Sequence, residues 1–282
     1  MQKSATTRTI DKVLSLLEGN KGVYVSGAEM AESIGVSRNA VWKAINDLKA
    51  QGYIIESVTN KGYMLSEKSD IISEEGIKAQ IYSEMMDCAR NLFVYESIDS
   101  TNDKAKELAV RGAVHGTCIV ASRQDGGRGR RDHQFHSPEG GIYMSVILTP
   151  DKIPFTRNDV ITQYIGICVC QAIESLTGIR PYIQGINDLY VDGKKICGIL
   201  IESGSEFDSD TLQWIVAGIG INFDSDIKEF PKELKGKAVS LFAPGEGTIT
   251  KNSLIAAILE NIWLIEKATD KDVSTENNKW RI

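Results

Sequence analysis

Apolar residues near the start of the chain recur at helical spacing. Ile10, Val13, Leu14 and Leu17 share one face of a predicted helix, which Gly19-Asn20-Lys21-Gly22 ends. Ser26 then precedes Ala28, Met30, Ala31 and Ile34, with Glu29 three residues after the serine. That is the pattern of a capping box opening a short helix. Gly35 closes it. Ser37 caps a third stretch, 38–51, whose Val41, Ile45 and Leu48 lie on one side, and Gly52 stops it. The β-rich runs 53–58 and 63–65 flank the turn Thr59-Asn60-Lys61-Gly62 and predict a hairpin. Helix, short helix, tight turn, helix and hairpin make a winged helix-turn-helix over residues 1–66.

Residues 67–83 are polar and charged apart from Ile71-Ile72 and predict a linker. Strand-like runs then appear at 92–95, 116–122, 142–148, 195–202 and 212–222, and helical runs at 102–111, 159–177 and 251–268. Asn187 to Glu202 reads as a hairpin turning at Asp192-Gly193. Mixed strands and helices predict an α+β fold for a second domain, 84–282. No apolar run approaches the roughly 18–20 residues that span a bilayer, so no membrane partner is expected. Residues 1–19 hold no apolar stretch with a small-residue cleavage site, which makes the cytoplasm the expected location.

The 282 residues are 42% apolar and 25% charged, ordinary for a globular protein of about two domains. The charge is uneven. Residues 1–63 carry eight Lys/Arg against six Asp/Glu, a net +2, so the rest of the chain holds −8 of the total −6. A mildly basic head on an acidic body suits an anionic partner for the head. The helix that starts Ser37-Arg38-Asn39-Ala40 presents small and polar side chains where a recognition helix meets base edges. Lys43, Lys49 and Lys61 would face phosphates. Such a head also serves as a protein-docking module. A net +2 is weak for a lone DNA binder and favours a dimer.

Five cysteines, Cys88, Cys118, Cys168, Cys170 and Cys197, form no CxxC pair and read as reduced thiols. His133 and His136 have no further ligand nearby at a familiar spacing, so no protein-held metal is expected.

The densest chemistry lies in Gln124-Asp125-Gly126-Gly127-Arg128-Gly129-Arg130-Arg131, just after a predicted strand. Glycine lets backbone approach a ligand closely, and arginine offers forked donors to carboxylate or phosphate. The loop therefore suits an anion, although no Walker A pattern occurs. Gly218-Ile219-Gly220 lacks the third glycine of a dinucleotide fingerprint. Asp99-Ser100-Thr101-Asn102 precedes a helix and combines a cap with ligand-ready hydroxyls. Lys195 starts an apolar strand and either snorkels or enters a polar pocket.

The winged head, DSTN at 99–102, GRGRR at 127–131, Asn187-Asp188 followed by Lys195, and GILIE at 198–202 occur in an order that resembles the bifunctional biotin protein ligase and biotin-operon repressor family. The likeness runs from about Arg8 to about Ile265. It implies a catalytic core like that of class II aminoacyl-tRNA synthetases. It also implies a reaction: biotin and MgATP give biotinyl-5′-adenylate and pyrophosphate, and biotin then passes to a lysine of a carboxyl carrier protein. The liganded protein would dimerise and bind operator DNA through the head, with Ser37, Arg38, Asn39, Lys43 and Lys61 at the DNA. Ser100, Thr101 and Asn102 would line the biotin ureido pocket, with Gln124 beside biotin. Gly127, Arg128, Gly129 and Arg130 would form the closing loop, with Gly198 at the pocket. Lys195 would meet the biotin carboxylate and the α-phosphate, and Asp188 would organise Mg²⁺ or the ATP side. Arg130 and Lys195 are the expected catalytic residues.

Three departures qualify the resemblance. Asp132, His133 and Phe135 stand where the family has a second Gly-Arg and a tryptophan. Gln184-Gly185-Ile186 replaces its Lys-Trp-[Pro/Val] before Asn187-Asp188. The chain ends at Trp280-Arg281-Ile282, so the family's small SH3-like C-terminal domain is expected to be missing. A biotin- or adenylate-responsive regulator with weak or no ligase activity is the alternative, and ligation of lipoate or another acid a more distant one.

Overall fold

The computed structural model describes residues 8–205 and 212–281, without the side chain of Asp132. Residues 1–7, 206–211 and 282 of the two expected domains lie outside the described residues. The chain forms two compact units, one ending at Gln80 and the other beginning at Ile81.

The first unit contains α1 (Thr9–Glu18), α2 (Gly27–Ile34), α3 (Arg38–Ala50), β1 (Ile55–Val58), β2 (Gly62–Leu65) and α4 (Glu74–Gln80). The serine caps set the helix starts. Ser26 Oγ accepts from the Ala28 N–H at 3.2 Å while the Ser26 N–H donates to Glu29 Oε2 at 3.3 Å. Ser37 Oγ accepts from the Ala40 N–H at 3.2 Å. Val13, Leu17, Met30, Val41, Ile45, Leu48 and Leu65 interlock beneath. β1 and β2 pair antiparallel, and Val25 makes a single antiparallel bridge to Tyr63. Gly62 is required there: at φ 105°, its Cβ would lie 2.1 Å from the Val25 carbonyl oxygen.

The expected linker 67–83 is corrected. α4 lies within it and packs on α1, with Ile72 and Ile77 buried. Lys21 Nζ donates to the Ser69 carbonyl at 2.6 Å, and the Ile54 N–H donates to Ser69 Oγ at 3.2 Å. The stretch is polar by count, yet it attaches to the head through Ile71, packed against the head's core, through α4 on α1 and through these hydrogen bonds.

The second unit contains β3 (Leu92–Ile98), α5 (Thr101–Val110), β4 (Cys118–Gln124), β5 (Gly141–Leu148), α6 (Asn158–Thr177), β6 (Tyr182–Gln184), β7 (Asp188–Val191), β8 (Lys194–Ser205), β9 (Leu212–Asn222), α7 (Lys251–Trp263) and α8 (Asp270–Trp280). Seven strands form one sheet in the order β3-β4-β5-β9-β8-β7-β6. β3 and β4 run parallel and the other neighbours antiparallel. The fold is α+β, as the pattern predicts.

Helices cover both faces. α5 lies over β4, β5 and β9, where Ala105, Ile119, Ile147 and Val216 cluster. α6 packs on the opposite face, where Gly166 meets Ile183 and Ile199. All eight positions of β5 are consequently buried. α6 corrects one expectation. It is 20 residues long and holds an 18-residue window of mean hydropathy 1.3, long and apolar enough to cross a membrane by length and composition alone, although 61% of that window is buried here. Helix 251–268 also ends early, at Trp263, and β6 and α8 are additions. The five cysteines are unpaired, four of them buried.

Candidate functional site

The site opens on the α5 face of the sheet. Gly198 and Gly220 sit opposite each other on β8 and β9, and Gly218 lies two residues before Gly220. Side chains there would fill the space above. A Cβ at 218 would come 2.0 Å from Asn102 Oδ1, and one at 220 would come 2.5 Å from the Phe135 ring. The three glycines therefore leave a bare strip of sheet beneath a cavity of about 60 Å³ that opens to solvent.

One wall is the start of α5. Ser100 Oγ is spent partly as its cap, accepting from the Asp103 N–H at 3.3 Å. Gln124, at the end of β4, accepts through Oε1 from the Thr101 N–H at 2.8 Å and from Thr101 Oγ1 at 3.0 Å. Its Nε2 donates to Ser137 Oγ at 3.0 Å. From β5, the buried Ser145 Oγ lies 2.8 Å from Thr101 Oγ1 and 2.7 Å from Asn102 Oδ1. Thr101, Asn102, Gln124 and Ser145 thus hold one another's donors and acceptors in fixed directions, the preorganisation a polar heterocycle needs.

The arginine loop forms the lid of the cavity. The Phe135 N–H donates to the Gly127 carbonyl at 2.9 Å, and the Gly129 N–H to the His133 carbonyl at 2.6 Å. Arg131 turns between them in the left-handed region, at φ 55° and ψ 43°. A Cβ at Gly127 would lie 2.4 Å from both the Phe135 carbonyl and Ser137 Oγ, so this position needs glycine. Phe135 then rests on the glycine strip, edge-on to Tyr143 at 6.3 Å.

Cationic groups converge beside it. Lys195 Nζ lies 2.8 Å from Asp188 Oδ1 and 5.8 Å from the Phe135 ring centre. Arg130 donates to Asn187 Oδ1 at 3.1 Å. Arg128 Nε donates to Asp103 Oδ2 at 2.9 Å. These contacts are exposed or partly exposed, so an arriving anion can exchange for them. Cys197, two residues from Lys195, is not a nucleophile candidate. Burial pushes its thiol up, outweighing the nearby Lys195 charge.

The structure brings Ser100, Thr101, Asn102, Gln124, Arg128, Gly129, Arg130, Lys195 and Gly198 around one cavity. Gly127 and Asp188 stand behind that lining, the first shaping the lid and the second holding Lys195. Sequence reasoning missed Asn187, Ser137, Ser145, Gly218 and Gly220 as contributors. The alternate glycines of a central strand were a usable signal for the last two.

In the first unit, Ser37, Arg38, Asn39 and Lys43 are exposed at the start of α3. Lys61 lies in the β1–β2 turn with its Nζ 5.7 Å from the Tyr24 ring centre. Lys49 donates to Ser57 Oγ at 2.8 Å.

Known proteins show the same two parts. The sequence profile described as the Biotin/lipoate A/B protein ligase family matches residues 94–222, and a profile described as an HTH domain matches residues 9–64. The bifunctional ligase/repressor BirA of Bacillus spizizenii is 39% identical over 237 residues, 84% of this chain and 71% of that protein. The Escherichia coli bifunctional ligase/repressor BirA is 31% identical over 216 residues, 75% of this chain and 62% of that protein. The biotin protein ligase of Aquifex aeolicus, solved with biotin and ATP, superposes with a TM-score of 0.57 at 29% identity, covering 68% of this chain and 79% of that one. The anion-ready lid and glycine-floored cavity lie within the matched ligase segment and the capped α2–α3 pair within the matched HTH segment, so this chain belongs to the biotin/lipoate protein ligase family, in its bifunctional ligase/repressor form.

Proposed function

We propose that the second unit joins biotin to ATP as biotinyl-5′-adenylate and transfers biotin to a lysine of a carboxyl carrier protein, and that the first unit represses transcription by binding operator DNA. One observation supports the ligase reading above others: Thr101, Asn102 and Gln124 line the same cavity as Arg128, Arg130 and Lys195. Polar groups for a ureido ring and cations for two anions thus face a single space.

The chemistry follows from those charges. The biotin carboxylate attacks the α-phosphorus, a new O–P bond forms, and pyrophosphate leaves with the electrons of the broken P–O bond. Carboxylate and triphosphate repel each other. Lys195 and Arg130 offset that repulsion and the charge that develops at phosphorus. Asp188 holds Lys195 in place until the carboxylate arrives. The lid keeps water from the mixed anhydride. Magnesium would enter on the triphosphate. Among the described residues no cluster of three His, Cys, Asp or Glu could hold a metal, so Asp188 would add one carboxylate to phosphate and water ligands. The reaction belongs in the cytoplasm, in keeping with five unpaired thiols. Dimerisation on adenylate binding would double the head's modest charge at the operator.

Single-turnover pyrophosphate release from biotin and MgATP, with and without a carrier domain, tests this. Adenylate formation followed by transfer is expected. Arg130→Ala and Lys195→Ala should each slow adenylate formation by about 100-fold or more. Normal rates in both variants would overturn the assigned roles. Biotin binding without adenylate would favour the regulator without ligase activity.

A further inference from the structure

Glu202 is the last residue of the GILIE segment and does not line the cavity. It sits on β8 opposite Val216 and faces α5. Its two oxygens have different partners. Oε2 accepts from Asn102 Nδ2 at 2.7 Å, and Oε1 from Lys106 Nζ at 2.8 Å. Lys106 Nζ lies 2.8 Å from Asp103 Oδ1, and Asp103 Oδ2 accepts from Arg128 Nε at 2.9 Å. We propose that Glu202 is a positioning residue that sets two cavity-lining groups at once, the Asn102 amide directly and the Arg128 side chain through Lys106 and Asp103. The inference rests on the biotin-ligase reading of the cavity.

Asn102 is buried, and its amide could face either way without a partner that discriminates. A carboxylate discriminates, because it only accepts. It draws Nδ2 toward β8 and leaves Oδ1 beside Ser145 Oγ, 2.7 Å away. Each oxygen of Glu202 takes one of the two donors, the Asn102 amide and the Lys106 ammonium. Burial pulls the Lys106 pKa down, but hydrogen bonds to Asp103 and Glu202 outweigh it and raise the pKa above the ordinary value. The ammonium therefore stays charged and bridges the two carboxylates. An isolated, half-exposed ion pair contributes little to stability. Here the function is direction: the chain runs from a sheet strand, across one turn of α5, to the lid.

The test uses the full chain. Glu202→Gln keeps the shape but turns an NH₂ toward either Asn102 or Lys106. Calorimetric biotin affinity and the KM for biotin should worsen roughly tenfold or more, the scale of one charge-assisted hydrogen bond. The KM for ATP should rise less than that for biotin, and the protein should remain folded at the assay temperature. Lys106→Met keeps the Asn102 contact but cuts the link to Asp103, and should give a smaller loss of biotin affinity. Combining Glu202→Gln with Asp103→Asn should cost less than the product of the single effects, because both act along one chain. A folded Glu202→Gln protein with unchanged biotin affinity, or with both KM values raised alike, overturns the proposal. Should Glu202→Gln fail to fold, Lys106→Met decides: unchanged biotin affinity there overturns it. If the unsubstituted chain binds no biotin, the biotin-ligase reading itself fails, and the proposal with it.

Discussion

A Cβ at position 220 would sit 2.5 Å from the Phe135 ring, so alanine there forces the ring off the sheet. Overpacking of this kind costs about 1–3 kcal/mol when the neighbour cannot yield. Phe135 belongs to the lid, so the displacement should pass to Arg128 and Arg130. Gly220→Ala is expected to weaken biotin binding, and adding Phe135→Ala should recover part of the thermal midpoint that it loses. Calorimetry and a thermal melt of the single and double variants check this. Normal binding by Gly220→Ala would mean that Phe135 does not need the bare strip. The residue scale is also where the site was least legible. DSTN, GRGRR and Lys195 each carry unusual residues in a short space, and the structure gathers them at one cavity. Glu202, Lys106 and Asp103 carry no such mark. Glu202 lies 96 residues from Lys106, and only the register of β8 against β9, beneath α5, makes them neighbours.

At the scale of elements, local chemistry predicted what local chemistry controls. Ser26 and Ser37 marked the starts of α2 and α3 because their hydroxyls close hydrogen bonds within three residues. α4 and α8 escaped notice because tertiary packing carries them. In α8 only Val273, Asn277 and Trp280 are buried, on a helix that starts from a Thr269–Asp272 capping box and docks on α6. The lid is a third case, a two-armed loop whose shape depends on Arg131 at φ 55°. Proline fixes φ near −65° and cannot take that turn. Arg131→Pro should therefore open the lid. Adenylate formation should fall at least tenfold, the scale of the ~1–3 kcal/mol stored in a special backbone conformation. The melting temperature should stay near that of the unsubstituted protein, since Gly129 is half-buried and Arg130, Arg131 and His133 are exposed. Stopped-flow pyrophosphate release and a thermal melt read the two quantities separately. A normal rate would show that the lid's shape is not needed for chemistry.

For the whole molecule, the placement of α4 determines where the two activities can be separated. A boundary drawn from composition falls at the hairpin's end, after residue 66. A cut there would remove the core of the first unit but leave α4 behind, with Ile77 stripped of α1. The contacts themselves divide between Gln80 and Ile81. A chain beginning at Ile81 keeps the whole sheet, α5 to α8 and every residue of the cavity. It should form biotinyl-adenylate at nearly the rate of the full chain and lose the operator mobility shift entirely. A chain beginning at residue 67 keeps α4 without the α1 it packs on and exposes Ile77, so it should be less soluble than the chain beginning at Ile81. Pyrophosphate release, gel shift and light scattering on the two truncations distinguish these outcomes. An operator shift that survives removal of residues 1–80 would place the DNA contacts in the second unit. Loss of adenylate formation would mean that the first unit supports the cavity as well as reading DNA.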